Sequence, residues 1–335
     1  MGNKLVSIIS PCFNGGQFLS AFLESVLAQD YYPIELLLVD DGSTDNTKDI
    51  IDSYAQVFID RNVVFRYFYQ ENRGAAAAIN CGLKHYSGDY LMWVDSDDIL
   101  LYNNVSTKVQ YLEDHTDCGF VIAQGEIVQS SDTDTSIGII KRIRPEGEDT
   151  LFADLIYERN VVFCPGVIMT KTNALKQAIP TNRIYESFQG QNWQLMLPLA
   201  YNFKCGYIDK VLFKCVAHPD SHSRRERSYR ETVQRQIDFE LLLIETIHRI
   251  AQMPQEEKTE WEKRISIKHS TNILRLALNH WDLPLYLRMK KKIRKAGERL
   301  QIQDTFWYRI GYPCIRRMRL IVPRRFILVI KRLLK

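Results

Sequence analysis

Four times in the first hundred residues a short apolar run ends in a polar turn, and between these runs the apolar positions recur with helical spacing. Lys4 to Ser10, rich in Val and Ile, reads as a strand that stops at the turn residues Pro11-Cys12-Phe13-Asn14-Gly15-Gly16. Phe18, Leu19, Phe22, Leu23, Val26 and Leu27 then share one helical face. Glu35 to Val39 is a second strand. It runs into Asp40-Asp41-Gly42-Ser43-Thr44-Asp45, where Ser43 or Thr44 can cap a helix carrying Ile50, Ile51, Tyr54 and Ala55. Val63 to Phe68 is a third, leading through Gln70-Glu71-Asn72-Arg73-Gly74 to a helix whose first turns, Ala75 to Ala78, are made of very small side chains. Tyr90 to Val94 is the fourth, and it delivers Asp95, Asp97 and Asp98.

Alternating strands and helices with short loops require an α/β fold: a mostly parallel sheet with right-handed crossovers and helices on both faces. The loops after residues 10, 39 and 94 then share one edge of the sheet, where ligands of open α/β sheets sit. Asp95 and Asp97, two residues apart, can converge on one point. Oxygen ligands without nearby cysteines suit a hard cation, Mg²⁺ or Mn²⁺, that keeps positions for substrate phosphates and water. The plainer alternative is that Asp-Ser-Asp-Asp is a turn and N-cap for a helix near Asn103.

Further along, Gly119 to Ala123 and Pro165 to Met169 read as strands, and residues 129–150 as a polar surface excursion. Val211 to Ala217 is another strand, followed by His218 and by Arg224, Arg225, Arg227 and Arg230, suited to capturing a diphosphate. From Tyr229 the pattern is helical. Val233, Ile237, Leu241, Ile244, His248 and Ala251 form one stripe, and Trp261, Ile265, Leu274, Leu278 and Trp281 another, joined across Pro254. The expected division is a catalytic domain over 1–225 and a helical extension over 226–335.

Charge changes the picture only at the end of the chain. The net charge of the 335 residues is +4, yet residues 290–335 carry fifteen Lys/Arg against two acids, leaving the remainder net −9. That tail interleaves its cations with Ile315, Met318, Leu320 to Val322 and Phe326 to Ile330, too interrupted to span a bilayer but suited to the interface of an anionic membrane. An acidic body without a nucleic-acid motif argues against nucleic acid as partner. Seven scattered cysteines, with no C-x-x-C pair, read as reduced thiols of a cytosolic protein. The short run Val6 to Ser10 is no signal peptide, and Val6 occupies the position where a myristoylation signal at Gly2 needs Ser or Thr.

Four motifs taken together resemble the inverting glycosyltransferases of family 2, which have the GT-A fold. They are Pro11-Cys12-Phe13-Asn14, Asp40-Asp41-Gly42-Ser43-Thr44-Asp45, Asn72-Arg73-Gly74 through Asn80, and Asp95-Ser96-Asp97-Asp98. The resemblance implies that Pro11, Phe13, Asn14 and Asp41 hold the nucleotide base, with Asp41 accepting from the uracil imide, and that Arg73 borders the nucleotide. It makes Asp95 the acid at the ribose and metal shell and Asp97 the direct ligand of Mn²⁺ or Mg²⁺ on the diphosphate. It places His218 near the metal or diphosphate. Glycosyl transfer expels a diphosphate from an oxocarbenium-like state, which is why a bridging cation is needed.

One departure bears on catalysis. Gly190-Gln191-Asn192-Trp193-Gln194-Leu195 is similar to a family segment whose Asp is the general base, but here that position is Asn192. An amide cannot take a proton at neutral pH. Either Glu186 or Asp98 serves, or Asn192 orients the acceptor and the proton leaves through water or phosphate, or the chain binds a nucleotide sugar without transferring it, as a partner subunit. The expectation is a metal-dependent glycosyltransferase on the inner face of the cell membrane, moving sugar from a UDP-sugar to a polysaccharide or lipid-linked oligosaccharide. A nucleotidyltransferase is disfavoured, because no Gly-rich Lys/Arg signature follows the first strand.

Overall fold

The computed structural model describes residues 3–142, 150–161, 164–188, 190–218 and 226–300. Arg224, Arg225 and the basic tail beyond residue 300 lie outside them, as do residues 143–149 of the polar excursion. The chain forms two compact units, one of Met1–Glu226 with Leu241–Lys258 and one of Arg227–Glu240 with Thr259–Lys335.

The first unit is built on one nine-stranded sheet. Its strands are β1 (Val6–Cys12), β2 (Ile34–Asp40), β3 (Val64–Tyr69), β4 (Tyr90–Trp93), β5 (Ile99–Leu100), β6 (Cys118–Gln129), β7 (Asp132–Ile140), β8 (Ile168–Lys171) and β9 (Lys204–Ala217). They run in the order β3-β2-β1-β4-β8-β6-β9-β5, with β7 paired to β6. The pairs among β3, β2, β1 and β4 are parallel, while β8 enters antiparallel between β4 and β6. The sheet is therefore parallel in its first half and mixed in its second. Every residue of β2 is buried, as a strand covered on both faces requires.

Register places the site. Cys12 pairs with Asp40 and Ile9 with Trp93, and the Val94 N–H donates to the Ile9 carbonyl (3.0 Å), so β1, β2 and β4 all discharge their loops at one edge. Helix α1 (Leu19–Leu27) follows β1, α2 (Thr47–Asp60) follows β2 and α3 (Ala75–His85) follows β3. A Cβ on Gly82 of α3 would come within 2.4 Å of the Ile9 side chain, so the helix lies against β1 only because this residue has no side chain.

Three expectations are corrected. Pro165–Val167 is a 3₁₀ turn and only Ile168–Lys171 is strand. The Gly166 carbonyl accepts from the buried Nζ of Lys108 in α4 (Asn104–Asp114), at 2.6 Å, instead of from a neighbouring strand. The polar excursion contains β7, which the alternation of side chains could not announce because most of that strand faces solvent. In α8 (Tyr229–His248) the buried stripe is Phe239, Leu242, Leu243 and Ile247, continuing to Ile250, whereas Leu241 is 60% exposed. Two overlapping apolar stripes exist in that helix, and only packing chooses between them. The first unit also holds α5 (Leu151–Tyr157), α6 (Thr172–Ala178) and α7 (Gln191–Asn202).

In the second unit, α9 (Gln255–Asn279) and α10 (Leu283–Lys295) share a core of Ile273, Leu274, Ala277, Leu278, Tyr286, Met289 and Ile293. Asp282 caps α10 by accepting from the Leu285 N–H (3.0 Å) and also takes the Tyr229 hydroxyl (2.9 Å). His269 is fully buried, its Nδ1 donating to Gln236 Oε1 (2.9 Å). Among the described residues no helix is long and apolar enough to cross a membrane.

Candidate functional site

The two polar loops after β1 and β2 are built on each other. The Asn14 N–H donates to Ser43 Oγ (2.9 Å), Asn14 Oδ1 accepts from the Thr44 N–H (2.9 Å), and the Gly15 and Gly16 amides donate to Thr47 Oγ1 and Asp45 Oδ2 (both 2.9 Å). Asn14 sits at φ 51°, a left-handed conformation that Asn tolerates better than most residues. Asp40 closes the second turn, accepting from the Ser43 N–H (2.8 Å) and the Tyr67 hydroxyl (3.1 Å). These bonds explain the residue types of the first two motifs without a ligand. They leave Phe13 half-exposed above the loops.

Asp41 does the same for the third motif. It is buried, and its oxygens accept from Gln70 Nε2 (2.7 Å), the Arg73 N–H (3.0 Å) and the Gly74 N–H (2.7 Å). Gly74, at φ 87°, starts α3 in a conformation that side chains resist. The Arg73 guanidinium ion-pairs with Glu186, which also pairs with Arg183 (2.8 Å). Arg183 first, and Arg73 after it, hold the Glu186 carboxyl below its ordinary range, which makes it a weaker base.

At the end of β4 the three acids face one another. Carboxylate oxygens of Asp95, Asp97 and Asp98 all lie within 4.8 Å. Burial, then the charge of Asp97, pushes Asp95 up to about 8, and burial followed by Asp97 raises Asp98 well above the usual carboxylate range. A hard divalent cation fits such a cluster in ligand type and spacing. Asp98 is also structural: its Oδ1 accepts from the Val216 N–H of β9 (2.9 Å).

That bond and the antiparallel pairing of Ile99 with Lys214 bring the end of β9 to the acids. His218 Nε2 consequently lies 2.9 Å from Asp97 Oδ2, with the His218 ring stacked on Phe18 (4.5 Å between centroids). His218 and Asp97 are 121 residues apart in sequence, and the contact is made by β5, a two-residue strand that no periodicity reveals.

Asn192, in the first turn of α7, is buried, and its Oδ1 accepts from the indole N–H of Trp93 in β4 (2.9 Å). The base position is thereby tied to the strand that carries the acids. Gln194 holds the segment before it, exchanging two hydrogen bonds with the Tyr185 backbone (2.6 and 2.9 Å), and Asn80 does so with Ile184 (2.8 and 2.9 Å). The roles of Trp93, Gln194 and Phe18 were invisible in sequence. Trp93 and Phe18 read there as core residues, and only α7 docked on β4 and His218 brought against Phe18 show otherwise.

The model of glycosyl transferase family 2 matches residues 7–179. Glycosyltransferase GlyG of Streptococcus pneumoniae is 41% identical over 113 residues, 33% of this chain and 36% of that protein. The putative glycosyltransferase EpsE of Bacillus subtilis is 28% identical over 225 residues, 67% of this chain and 77% of that one. The match spans only about a third of the length of GlyG and of a Rickettsia prowazekii glycosyltransferase that is 37% identical over 110 residues. Among solved structures, S. aureus TarS with UDP-GlcNAc aligns with TM-score 0.57 at 18% identity, over 89% of this chain and 93% of that one. The mannosyltransferase PcManGT of Pyrobaculum calidifontis, with GDP-Man and Mn²⁺, aligns with TM-score 0.52 at 16% identity, over 94% and 81%. At these identities the structures testify to the fold.

Proposed function

Because this chain belongs to glycosyl transferase family 2, we propose that it is a metal-dependent inverting glycosyltransferase taking a UDP-sugar as donor and a polysaccharide or lipid-linked oligosaccharide as acceptor. The observation that carries this is the meeting of Asp95, Asp97, Asp98 and His218 on the sheet edge that also bears the Asn14, Asp41 and Arg73 loops. The structural relatives hold UDP-GlcNAc and GDP-Man, which supports a nucleotide sugar without choosing the base.

Asp97 and Asp95 would hold Mn²⁺ or Mg²⁺, whose chemistry is to neutralise the departing diphosphate. Phe13, Asn14 and the Asp41-ordered loop flank the base, and Arg73 borders the nucleotide. Inversion needs the acceptor oxygen to attack C1 from the face opposite the diphosphate and to lose its proton. Asn192 cannot take that proton. Glu186 is committed to two arginines, and Asp98 to Val216. Asn192 therefore orients the acceptor hydroxyl, and the proton leaves through water or a donor phosphate oxygen.

Association with an anionic membrane is supported by α10. Leu283, Leu287, Lys291 and Arg294 are exposed along one stripe, beside the buried stripe of Tyr286, Met289 and Ile293, and no acid interrupts the helix. The cationic tail that follows belongs to the same reading, which puts the protein on the inner face of the cell membrane.

The test is UDP release from a panel of UDP-sugars with Mn²⁺, with and without membrane lipid extract. Turnover stimulated by the extract is expected. Binding without turnover would favour a non-catalytic partner subunit, the reading that Asn192 motivates, and pyrophosphate formation would indicate nucleotidyl transfer.

A further inference from the structure

Beside the donor acids lies a second cluster, which shares Asp98 with them and adds two thiols that glycosyl transfer does not use. Cys164, just before the 3₁₀ turn at Pro165, and Cys215, in β9, bring their sulfurs together with a carboxylate oxygen of Asp98, all within 4.8 Å of one another. Asp98 is buried and the two thiols half-buried. The thiols contact each other, and that contact first, then burial and the negative charges of Asp98 and Asp95, raise the Cys164 thiol well above its ordinary range. Two sulfurs and one oxygen differ in chemistry from the all-oxygen set of Asp95 and Asp97: thiolates select soft or borderline cations.

We propose that Cys164, Cys215 and Asp98 form a binding site for a borderline-soft divalent cation of the zinc class, adjacent to the hard-cation site that Asp95 and Asp97 would hold in the donor pocket. Bond lengths of about 2.3 Å to sulfur and about 2.0 to 2.2 Å to oxygen put tetrahedral ligands roughly 3.5 to 3.8 Å apart, so the three atoms need only a small approach. Each thiol releases its proton to solvent as its sulfur bonds the cation, and the fourth position is filled by water. Occupancy would link the segment before Pro165 to β9 and engage Asp98, whose Val216 bond helps bring His218 to Asp97. The expected consequence is that zinc-class cations lower the activity supported by Mn²⁺ or Mg²⁺.

Co²⁺ serves as the optical probe. The full-length chain, reduced and stripped of metal, is titrated with Co²⁺ in excess Mg²⁺. Thiolate charge-transfer absorption and intense visible bands saturating at one Co²⁺ per chain, and displaced by one equivalent of Zn²⁺, are expected. C164S/C215S should lose the bands while its far-ultraviolet circular dichroism stays that of the unmodified chain, and Cys215→Ser alone should weaken Co²⁺ binding at least tenfold. Asp97→Ala should keep the bands. Absence of the bands from the reduced chain, their survival in the folded double variant, or their loss in Asp97→Ala would each overturn the proposal. So would a disulfide between Cys164 and Cys215 in the protein as isolated. None of these readings depends on sugar transfer, so failure here is distinguishable from failure of the glycosyltransferase assignment.

Discussion

Single side chains in this protein act mostly by holding loops, and two of them by standing where charge is exchanged. Asp97 is the acid reached by His218 and more exposed than Asp98, so it is the member of the cluster best placed to take a cation. Asp97→Ala is expected to lower turnover at least about 100-fold, the order seen when one main electrostatic stabiliser is removed. Steady-state UDP release at saturating Mn²⁺ checks it. Asn192 makes the opposite prediction. Because its side chain is already aimed by the Trp93 indole, Asn192→Asp puts a carboxylate where the acceptor proton departs, and kcat should rise. Unchanged kcat would mean that the acceptor does not lie over α7. The acids of both motifs were legible in sequence because carboxylates ending apolar strands are unusual. Trp93, an ordinary apolar strand residue until α7 packs on it, was not.

At the scale of elements, the close seating of α3 on β1 is the contact most sensitive to one atom. Gly82→Val adds side-chain atoms where Ile9 already lies 2.4 Å from the position of a Cβ, and overpacking of this kind costs about 1 to 3 kcal/mol. The midpoint of urea unfolding should fall accordingly, with Gly82→Ala falling less. The helices and strands that bury a strong one-sided pattern were legible from periodicity. Strand β7 exposes most of its length, β5 has two residues, and Pro165–Val167 turns because proline lacks an N–H, so their structure follows from pairing partners.

For the whole molecule, two conditions of the medium should matter. His269 is buried and neutral, with burial foremost and then Lys268 and Lys292 pushing it down to about 3 from 6.5. Its folded form binds fewer protons than its unfolded form between those values. Stability should therefore be intact above pH 6.5 and be lost as pH falls toward 3, by an amount on the order of a few kcal/mol. Urea unfolding of the full chain against pH checks it, with His269→Gln expected to flatten that limb. On vesicles, Leu287→Glu with Lys291→Glu should weaken binding to anionic but not neutral lipid, and the remaining binding should fall with salt. By itself the sequence determined the parallel half of the sheet and the edge where its acids emerge, because apolar period and turn chemistry are local properties. Only the tertiary structure decided that His218 meets Asp97, that Asp41 is engaged by the 70–74 loop, and that Asn192 is aimed by Trp93. Each of those contacts joins residues at least 29 positions apart, and strand register and helix docking, which no local pattern encodes, bring them together.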